Sequence, residues 1–169
     1  MNDFERTFDN AAVDYDQNRP VYHKDLYTDL FQYKPIDARS TVLEIGIGTG
    51  KASRPILDAG CRLTGLEPGE NLAAIAKNNL RNYQNFFLSN QTLQDYECGA
   101  ETFDLIYAAT AFHWIPEEYG YPRVYDLLKP GGVFARFSYH AGPDKERKAL
   151  TSEIRDVYYQ YMQPDEPKE

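Results

Sequence analysis

The feature that most restricts the fold of this chain is an apolar run that ends in alternating glycines, VLEIGIGTG at residues 42–50. The first half has the composition of a buried strand. Glycine lacks a Cβ atom, so the backbone can adopt left-handed angles and approach a ligand closely, while amides at the start of a following helix offer hydrogen-bond donors. The run therefore predicts a cofactor site.

The spacing of the glycines discriminates between cofactors. Gly46, Gly48 and Gly50 form a Gly-x-Gly-x-Gly pattern. The dinucleotide fingerprint Gly-x-Gly-x-x-Gly needs a glycine where this chain has Lys51. A nucleotide-dependent oxidoreductase is therefore the less favoured alternative.

Apolar runs recur along the chain at intervals of roughly twenty to thirty residues. They begin near Val42, Leu63, Asn85, Phe103 and Val133. Helical patterns at 51–59 and 71–80 lie between the first three, and this alternation predicts an α/β fold with a doubly wound parallel sheet and helices on both faces. The breakers at 129–132 predict a turn before the strand that begins at Val133.

Composition excludes several classes of function. A chain of 169 residues is expected to form one domain, and its net charge of −8 disfavours a nucleic-acid partner. No apolar segment is long enough to cross a membrane, and residues 1–6 carry no apolar leader. Cys61 and Cys98 lack the spacing of a metal site. We therefore predict a cytoplasmic protein without metal, membrane or nucleic-acid partners.

Motifs in order along the chain identify a family resemblance. Glu67 ends the second strand, 23 residues after Glu44, and with it the glycine run resembles motif I of the class I S-adenosylmethionine-dependent methyltransferases. Residues 104–114 (DLIYAATAFHW) and 127–132 (LLKPGG) are similar to the fourth strand and the turn into strand five of a small-molecule, type 11-like branch. The resemblance implies a Rossmann-like sheet, S-adenosyl-L-methionine as cofactor and S-adenosyl-L-homocysteine as product.

The resemblance also implies a set of cofactor-binding residues. They are Tyr15, Arg19, Glu44, Gly46, Gly48, Glu67, Thr92, Leu93 and Ala109. Glu67 is expected at the ribose hydroxyls, and Glu44 at the amino group of the cofactor or in loop hydrogen bonds. Thr92 and Leu93 are expected at the adenine, although Gln94 stands where the family carries an acid.

The acceptor is expected to be a small molecule methylated on oxygen, nitrogen or carbon. His113 follows strand four, at the edge where open α/β sheets bind ligands, and an imidazole there can take a proton from the acceptor. The alternative is that His113 bonds to the backbone or forms a pocket wall. Tyr22, Phe112 and Trp114 are predicted to shape the acceptor pocket, and core packing is the alternative for Phe112 and Trp114.

The family sheet continues for two further strands, whereas only about thirty residues follow Phe137. We predict a single domain over 1–163, with a helical lid region at 1–35, a cofactor-binding core at 41–140, a last helix at 144–162 and a polar tail at 164–169. The missing strands indicate a truncated chain, which is favoured, or a minimal member that covers its sheet edge by self-association. A catalytically inactive S-adenosylmethionine-binding domain is the alternative function.

Overall fold

Five parallel strands form the central sheet in the order β3-β2-β1-β4-β5. The computed structural model describes residues 7, 9–139 and 148–161. The strands are β1 (Thr41–Ile45), β2 (Arg62–Leu66), β3 (Phe86–Ser89), β4 (Phe103–Ala109) and β5 (Leu128–Phe137). The prediction of a doubly wound parallel sheet of five strands is confirmed.

Helices separate the successive strands of the sheet except β3 and β4, which a loop joins. They are α1 (Ala12–Asn18), α2 (Lys24–Tyr33), α3 (Ser53–Asp58), α4 (Glu70–Asn79), α5 (Glu117–Leu127) and α6 (Lys148–Tyr161), with a 3₁₀ helix at Phe112–Trp114. The helical patterns predicted at 51–59 and 71–80 correspond to α3 and α4.

Alternate residues of the strands enter two separate hydrophobic clusters, as the pleat of a sheet covered on both faces requires. Val42 and Leu105 pack in one cluster with Ile56 of α3. Leu43 and Ile106 pack in the other, which includes the buried face of α5. Because both faces are covered, the sites open to ligands lie at the ends of the strands.

The start of β5 differs from the prediction. The strand begins at Leu128, which pairs with Phe103, whereas Val133 pairs with Leu105. The breakers at 129–132 are therefore a bulge within β5 and not a turn before it. The Lys129 ammonium lies 2.8 Å from the Asp104 carboxylate of β4, which anchors the bulge to the neighbouring strand.

A residue from the N-terminal segment caps α4. The helix has Gly69 at its N-cap, which provides no side-chain acceptor. Asp9 supplies the missing acceptor. One of its carboxylate oxygens accepts a hydrogen bond from the Leu72 amide at 3.0 Å, and the other accepts one from the Asn71 side chain at 3.1 Å. This buried contact holds the N-terminal segment beside the end of β2.

The chain divides into two compact units, with the boundary after Ser138. The second unit contains α6, whose residues Leu150, Ile154 and Val157 are exposed. Positions 140–147 and 162–169, which include the first residues of the predicted last helix and the predicted tail, lie outside the described residues, as do 1–6 and 8. The predicted single domain and self-association through a sheet edge stay predictions.

Among the described residues, no helix combines the length and apolar character needed to cross a bilayer.

Candidate functional site

A cavity of about 310 Å³ opens at the carboxyl ends of the strands, where β1, β2 and β4 lead into their loops. All but one of the predicted site residues line it. They are Tyr15, Arg19, Tyr22, Glu44, Gly46, Gly48, Glu67, Thr92, Leu93, Ala109, His113 and Trp114. The fold thus gathers them around one space, and their individual roles stay predictions.

Two glycines shape the loop after β1. Gly46 has φ +67°, and a Cβ atom there would lie 2.5 Å from the Cβ of Ala111, so only glycine lets the two loops approach. Gly48 has φ +56°, and a Cβ atom on this residue would have the Tyr15 ring as its nearest neighbour, at 3.9 Å. The backbone at Gly48 is therefore open towards the cavity.

Glu67 follows β2 and ties the glycine loop to the start of α4. Its Oε2 accepts a hydrogen bond from the Gly48 amide at 2.8 Å, and its Oε1 accepts one from the Gly69 amide at 2.9 Å. The side chain lines the cavity with both oxygens fixed in place, which suits an acceptor for paired hydroxyl groups.

Glu44 lies at the base of the cavity and is 1% exposed. Its Oε2 accepts hydrogen bonds from the Ser53 hydroxyl and the Tyr107 hydroxyl, both at 2.6 Å. Burial raises the pKa of the carboxyl to about 7, although these two hydrogen bonds oppose the shift. Ionisation of Glu44 is thus sensitive to any positive charge that enters the cavity.

Two further cavity residues come from the N-terminal segment: Tyr15 lies in α1, and Arg19 caps the C-terminal end of that helix. The Arg19 guanidinium carbon lies 5.4 Å from the centre of the Tyr15 ring, a distance at which a cation is attracted to an aromatic face. Burial raises the pKa of the Tyr15 hydroxyl. Both side chains line the cavity, and the guanidinium brings a positive charge to its wall.

The loop after β3 closes another side of the cavity. The Thr92 hydroxyl donates a hydrogen bond to the Asp95 carboxylate at 2.6 Å and accepts one from the Asp95 amide at 3.2 Å. Leu93 is 3% exposed and presents an apolar surface. Gln91 and Gln94 also line the cavity, so its polar groups here are neutral amides.

His113 and Trp114 belong to the 3₁₀ helix after β4, and their ring centres are 4.6 Å apart. Partial burial lowers the pKa of His113, and the positive charges of Arg136 and Arg19 lower it further. The imidazole is therefore predominantly neutral at pH 7, the state in which it can accept a proton.

Phe112 does not line the cavity, so its prediction as an acceptor-pocket residue is wrong. The ring is 3% exposed and packs against Phe134 and Tyr121, with ring centres 4.8 Å and 5.2 Å away. A Cβ atom on Gly120 would lie 2.8 Å from this ring. The 3₁₀ helix directs Phe112 into the core between the sheet and α5, while the two following residues reach the cavity.

The described residues contain no cluster of three or more histidine, cysteine or acidic side chains that could hold a metal ion.

Residues 42–132 match the family described as the methyltransferase domain, over more than half of the chain. The chain belongs to the class I S-adenosylmethionine-dependent methyltransferases. The match covers the three strands that carry the glycine loop, Glu67 and His113, so the family assignment includes the elements that build the cavity.

Individual relatives agree with the family. The methyltransferase chain is 30% identical to an uncharacterized methyltransferase of Anoxybacillus flavithermus, over 76% of this chain and 64% of that protein. It is 26% identical to a probable S-adenosylmethionine-dependent methyltransferase of Saccharomyces cerevisiae, over 92% of this chain and 53% of that protein. A solved structure from Anaeromyxobacter dehalogenans, provisionally assigned as a type II methyltransferase, superposes with a TM-score of 0.69 at 26% identity, covering 89% and 61% of the two chains.

The methyltransferase chain thus spans about half to two thirds of the length of these relatives.

The residues of the cavity fit S-adenosylmethionine, the cofactor of this family. An ammonium and a sulfonium require negative partners, and Glu44 and Glu67 line the wall. A carboxylate requires donors, and Arg19 and Lys51 line the same wall. Thr49, also in the wall, has a buried hydroxyl oxygen without a hydrogen-bond partner among the described residues. The cavity therefore offers a counterpart to each polar end of the cofactor.

Several cavity residues were missed by the sequence analysis. Thr49 lies between the last two glycines of the glycine pattern, and Lys51 directly follows the pattern. Their position in that motif could have marked them as site residues. Thr110 and Ala111 follow β4 directly, but nothing in their residue types marks them as site residues. Thr110 has φ +57°, which only the structure reveals.

Proposed function

We propose that this chain transfers a methyl group from S-adenosylmethionine to an oxygen, nitrogen or carbon atom of a small-molecule acceptor. The observation that carries the proposal is the single cavity that joins the glycine loop and Glu67 to His113 and Tyr22. A cofactor seated on the first two would leave its reactive end in the same cavity as the last two. A cavity of about 310 Å³ is in the size range of small-molecule sites.

Binding of the cofactor is proposed to use five kinds of contact. Glu67 accepts hydrogen bonds from the ribose hydroxyls, and Glu44 attracts the ammonium group. The backbone at Gly46 and Gly48 lies against the methionine portion, and Ala109 borders the same loop. Thr92 and Leu93 border the adenine. Tyr15 and Arg19 cover the site from the N-terminal segment, which excludes water.

When bound, the cofactor supplies an electrophilic methyl group on a sulfonium, which the acceptor displaces in line. The chain's contribution to such a displacement is alignment and exclusion of water, so no covalent nucleophile is needed. Tyr22 and Trp114 are proposed to orient the acceptor.

His113 is proposed as the general base. A hydroxyl or amine acceptor must lose a proton during transfer, and a neutral imidazole nitrogen at the cavity wall can receive it. Because the pKa of His113 is lowered, this nitrogen is predominantly unprotonated at pH 7. An acceptor that is already anionic would need His113 only as a hydrogen-bond partner.

Calorimetry tests the cofactor site. We expect saturable binding of S-adenosylmethionine and no binding of NADH, with at least about tenfold weaker binding of S-adenosylmethionine by Glu67→Ala, since two hydrogen bonds to a charged group are lost. The matched control is Glu118→Ala, which removes an exposed acid of α5 outside the cavity. NADH binding that competes with S-adenosylmethionine would instead favour the oxidoreductase alternative.

Formation of S-adenosylhomocysteine tests the transfer. The chain is incubated with S-adenosylmethionine and a panel of small acids, amines and phenols, and product is followed by mass spectrometry. We expect turnover with at least one class, reduced about 10²- to 10⁴-fold in His113→Gln if the acceptor must lose a proton. Binding without turnover of any class would favour the inactive cofactor-binding alternative.

A further inference from the structure

The part of the cavity that follows β4 contains no acid. Among the described residues that line the cavity, the acids are Glu44 and Glu67, at the ends of β1 and β2. The cavity residues of the segment 109–116, which include His113 and Trp114, carry no carboxylate. The chain has a net charge of −8, so the lack of acids at this end does not follow from a basic composition.

Arg19 brings a positive charge to this part of the cavity. The residue is half-buried and lines the cavity. Its guanidinium rests against the Tyr15 ring and forms no ion pair or hydrogen bond within the described part of the chain. The charge of Arg19 helps to lower the pKa of His113, so the guanidinium lies close enough to act on the imidazole. A half-buried guanidinium without a carboxylate partner favours an anionic ligand.

Arg136 adds a second positive charge beside the same histidine. Its guanidinium carbon lies 5.2 Å from the centre of the Phe112 ring, the residue directly before His113. Its Nη1 lies 3.7 Å from Oε1 of Glu117, whose side chain is 73% exposed, so solvent screens this pair. Arg136 also lowers the pKa of His113. Two guanidinium groups thus act on the imidazole at the acceptor end of the cavity.

These charges discriminate between classes of acceptor. An aliphatic amine, with a pKa of roughly 10, enters as a cation at pH 7, whereas a carboxylic acid, with a pKa of roughly 4, enters as an anion. Two nearby positive charges repel the amine and attract the carboxylate. An alcohol is neutral and gains little from either guanidinium.

We propose that the methyl acceptor is a small carboxylic acid, whose carboxylate is held by the Arg19 guanidinium beside His113 and takes the methyl group. This inference rests on the proposed function and names its substrate class. Arg19 covers the site and faces the acceptor, and Lys51 remains in the wall for the carboxylate of the cofactor.

The transfer to such an acceptor needs no base. A carboxylate oxygen uses a lone pair to form a bond to the methyl carbon, while the carbon–sulfur bond breaks and leaves its electron pair on sulfur. The products are a methyl ester and S-adenosylhomocysteine, and no proton moves. The neutral His113 imidazole has one N–H, and it acts here as a hydrogen-bond donor to the carboxylate.

Turnover of matched acceptors tests the substrate class. The whole chain is incubated with S-adenosylmethionine and with hexanoate, phenylacetate or succinate, each beside the amine and the alcohol of the same carbon skeleton. Mass spectrometry follows S-adenosylhomocysteine and the methylated product. We expect kcat/KM for at least one carboxylate to exceed that of its amine and its alcohol by about tenfold or more. Turnover confined to amines or alcohols would overturn the inference.

Arg19→Gln separates a contact with the acceptor from a contact with the cofactor. We expect KM for the carboxylate to rise about 10- to 100-fold, because a charge-assisted pair is lost, and Kd for S-adenosylmethionine to change less than about threefold. Arg19→Lys keeps the charge and should raise KM less. Arg39→Gln, at an exposed arginine paired with Asp37, is the matched control and should change neither constant. Weaker cofactor binding with an unchanged KM for the carboxylate would assign Arg19 to the cofactor and overturn the inference.

The His113 resonance gives a readout that a merely structural role of Arg19 would not produce. In the chain loaded with S-adenosylhomocysteine, a bound carboxylate should raise the NMR titration midpoint of His113, because a negative charge favours the protonated imidazole. The matched amine should not raise it. In Arg19→Gln the carboxylate should be needed at about tenfold or higher concentration for the same shift. An equal response in Arg19→Gln would contradict the assigned contact.

Failure of the inference and failure of the proposed function are distinguishable. If the chain methylates amines or alcohols and no carboxylate, the substrate class alone is wrong. If the folded chain binds S-adenosylmethionine but methylates no class of acceptor, the proposed transfer and the inference are both overturned. If it does not bind S-adenosylmethionine, the cofactor site is overturned as well.

Discussion

The Tyr22 hydroxyl lies 2.7 Å from Oγ1 of Thr110, and this hydrogen bond joins residues 88 positions apart. Thr110 follows β4 with φ +57°, an angle that β-branched residues rarely adopt. Tyr22 also packs edge-on against Phe137, with ring centres 5.1 Å apart. The N-terminal segment is thus fastened to the ends of β4 and β5 through one strained residue, which indicates a functional constraint at this point.

Loss of the Tyr22–Thr110 hydrogen bond should weaken cofactor binding. In Tyr22→Phe and in Thr110→Val we expect affinity for S-adenosylmethionine to fall about three- to tenfold, because the segment that carries Tyr15 and Arg19 is held less firmly over the cavity. Calorimetry measures the change. The double variant should bind S-adenosylmethionine about as well as the single variant with the lower affinity. If the losses of binding free energy in the two single variants simply add in the double variant, the direct link between Tyr22 and Thr110 is contradicted.

Glu44 should make the free chain less stable as pH rises. Its pKa is raised from 4.5 to about 7 in the folded state, so the folded chain binds more protons than the unfolded chain between these values. This contribution to stability is fully present below about pH 4.5 and is lost as pH rises through 7. We expect the loss to be on the order of 3 kcal/mol. Urea unfolding across this pH range measures it.

Glu44→Gln is the control for this titration. Glutamine can accept the same hydrogen bonds from Ser53 and Tyr107 but does not ionise, so the fall in unfolding free energy between pH 4.5 and 7 should largely disappear. A slope that persists unchanged in Glu44→Gln would assign the titration to another group.

His113 should titrate below its ordinary pKa of 6.5 because of burial and the charges of Arg136 and Arg19. We expect its NMR titration midpoint to lie below 6.5 and to move upward in Arg136→Gln, which removes one of those charges. His113→Gln assigns the resonance among the three histidines. The control, Arg39→Gln, removes an exposed arginine that pairs with Asp37. A midpoint at or above 6.5 in the unmodified chain would be inconsistent with the site as described.

Asp9 should stabilise the chain through its cap on α4. Replacing Asp9 with alanine leaves the Leu72 amide without its acceptor, which should cost about 1 kcal/mol and lower the melting midpoint by about 2–4 °C. Asp9→Asn retains an acceptor oxygen and should lose less. Asp14→Ala, a change in an exposed acid of α1, serves as the control. Equal melting midpoints for Asp9→Ala and Asp14→Ala would show that the cap contributes nothing.

The strands and the glycine loop could be predicted because their signals are local. Apolar runs and glycine spacing lie within a few consecutive residues, and four of the five strands begin within one residue of the predicted position. The start of β5 was misplaced because it depends on a partner strand. Only pairing of Leu128 with Phe103 shows that the strand continues through a proline and two glycines.

Site residues divide in the same way. Membership of Glu67 and His113 in one cavity followed from strand order, since parallel strands bring their carboxyl ends to one edge. Burial of Phe112 could not be predicted in this way. Phe112 shares one 3₁₀ turn with His113 and Trp114, and only the path of that turn decides which side chain enters the core and which ones reach the cavity.

By itself the sequence determined the alternation of strands and helices, the glycine turn and the family, because each is written in short contiguous patterns. Tertiary structure alone decided that Asp9 caps a helix beyond β2, that Tyr22 meets Thr110, and that the Thr49 hydroxyl is buried without a hydrogen-bond partner among the described residues. The physical reason is that such contacts join, or fail to join, groups far apart in the chain, and their hydrogen bonds depend on atomic positions that only packing of the whole fold sets.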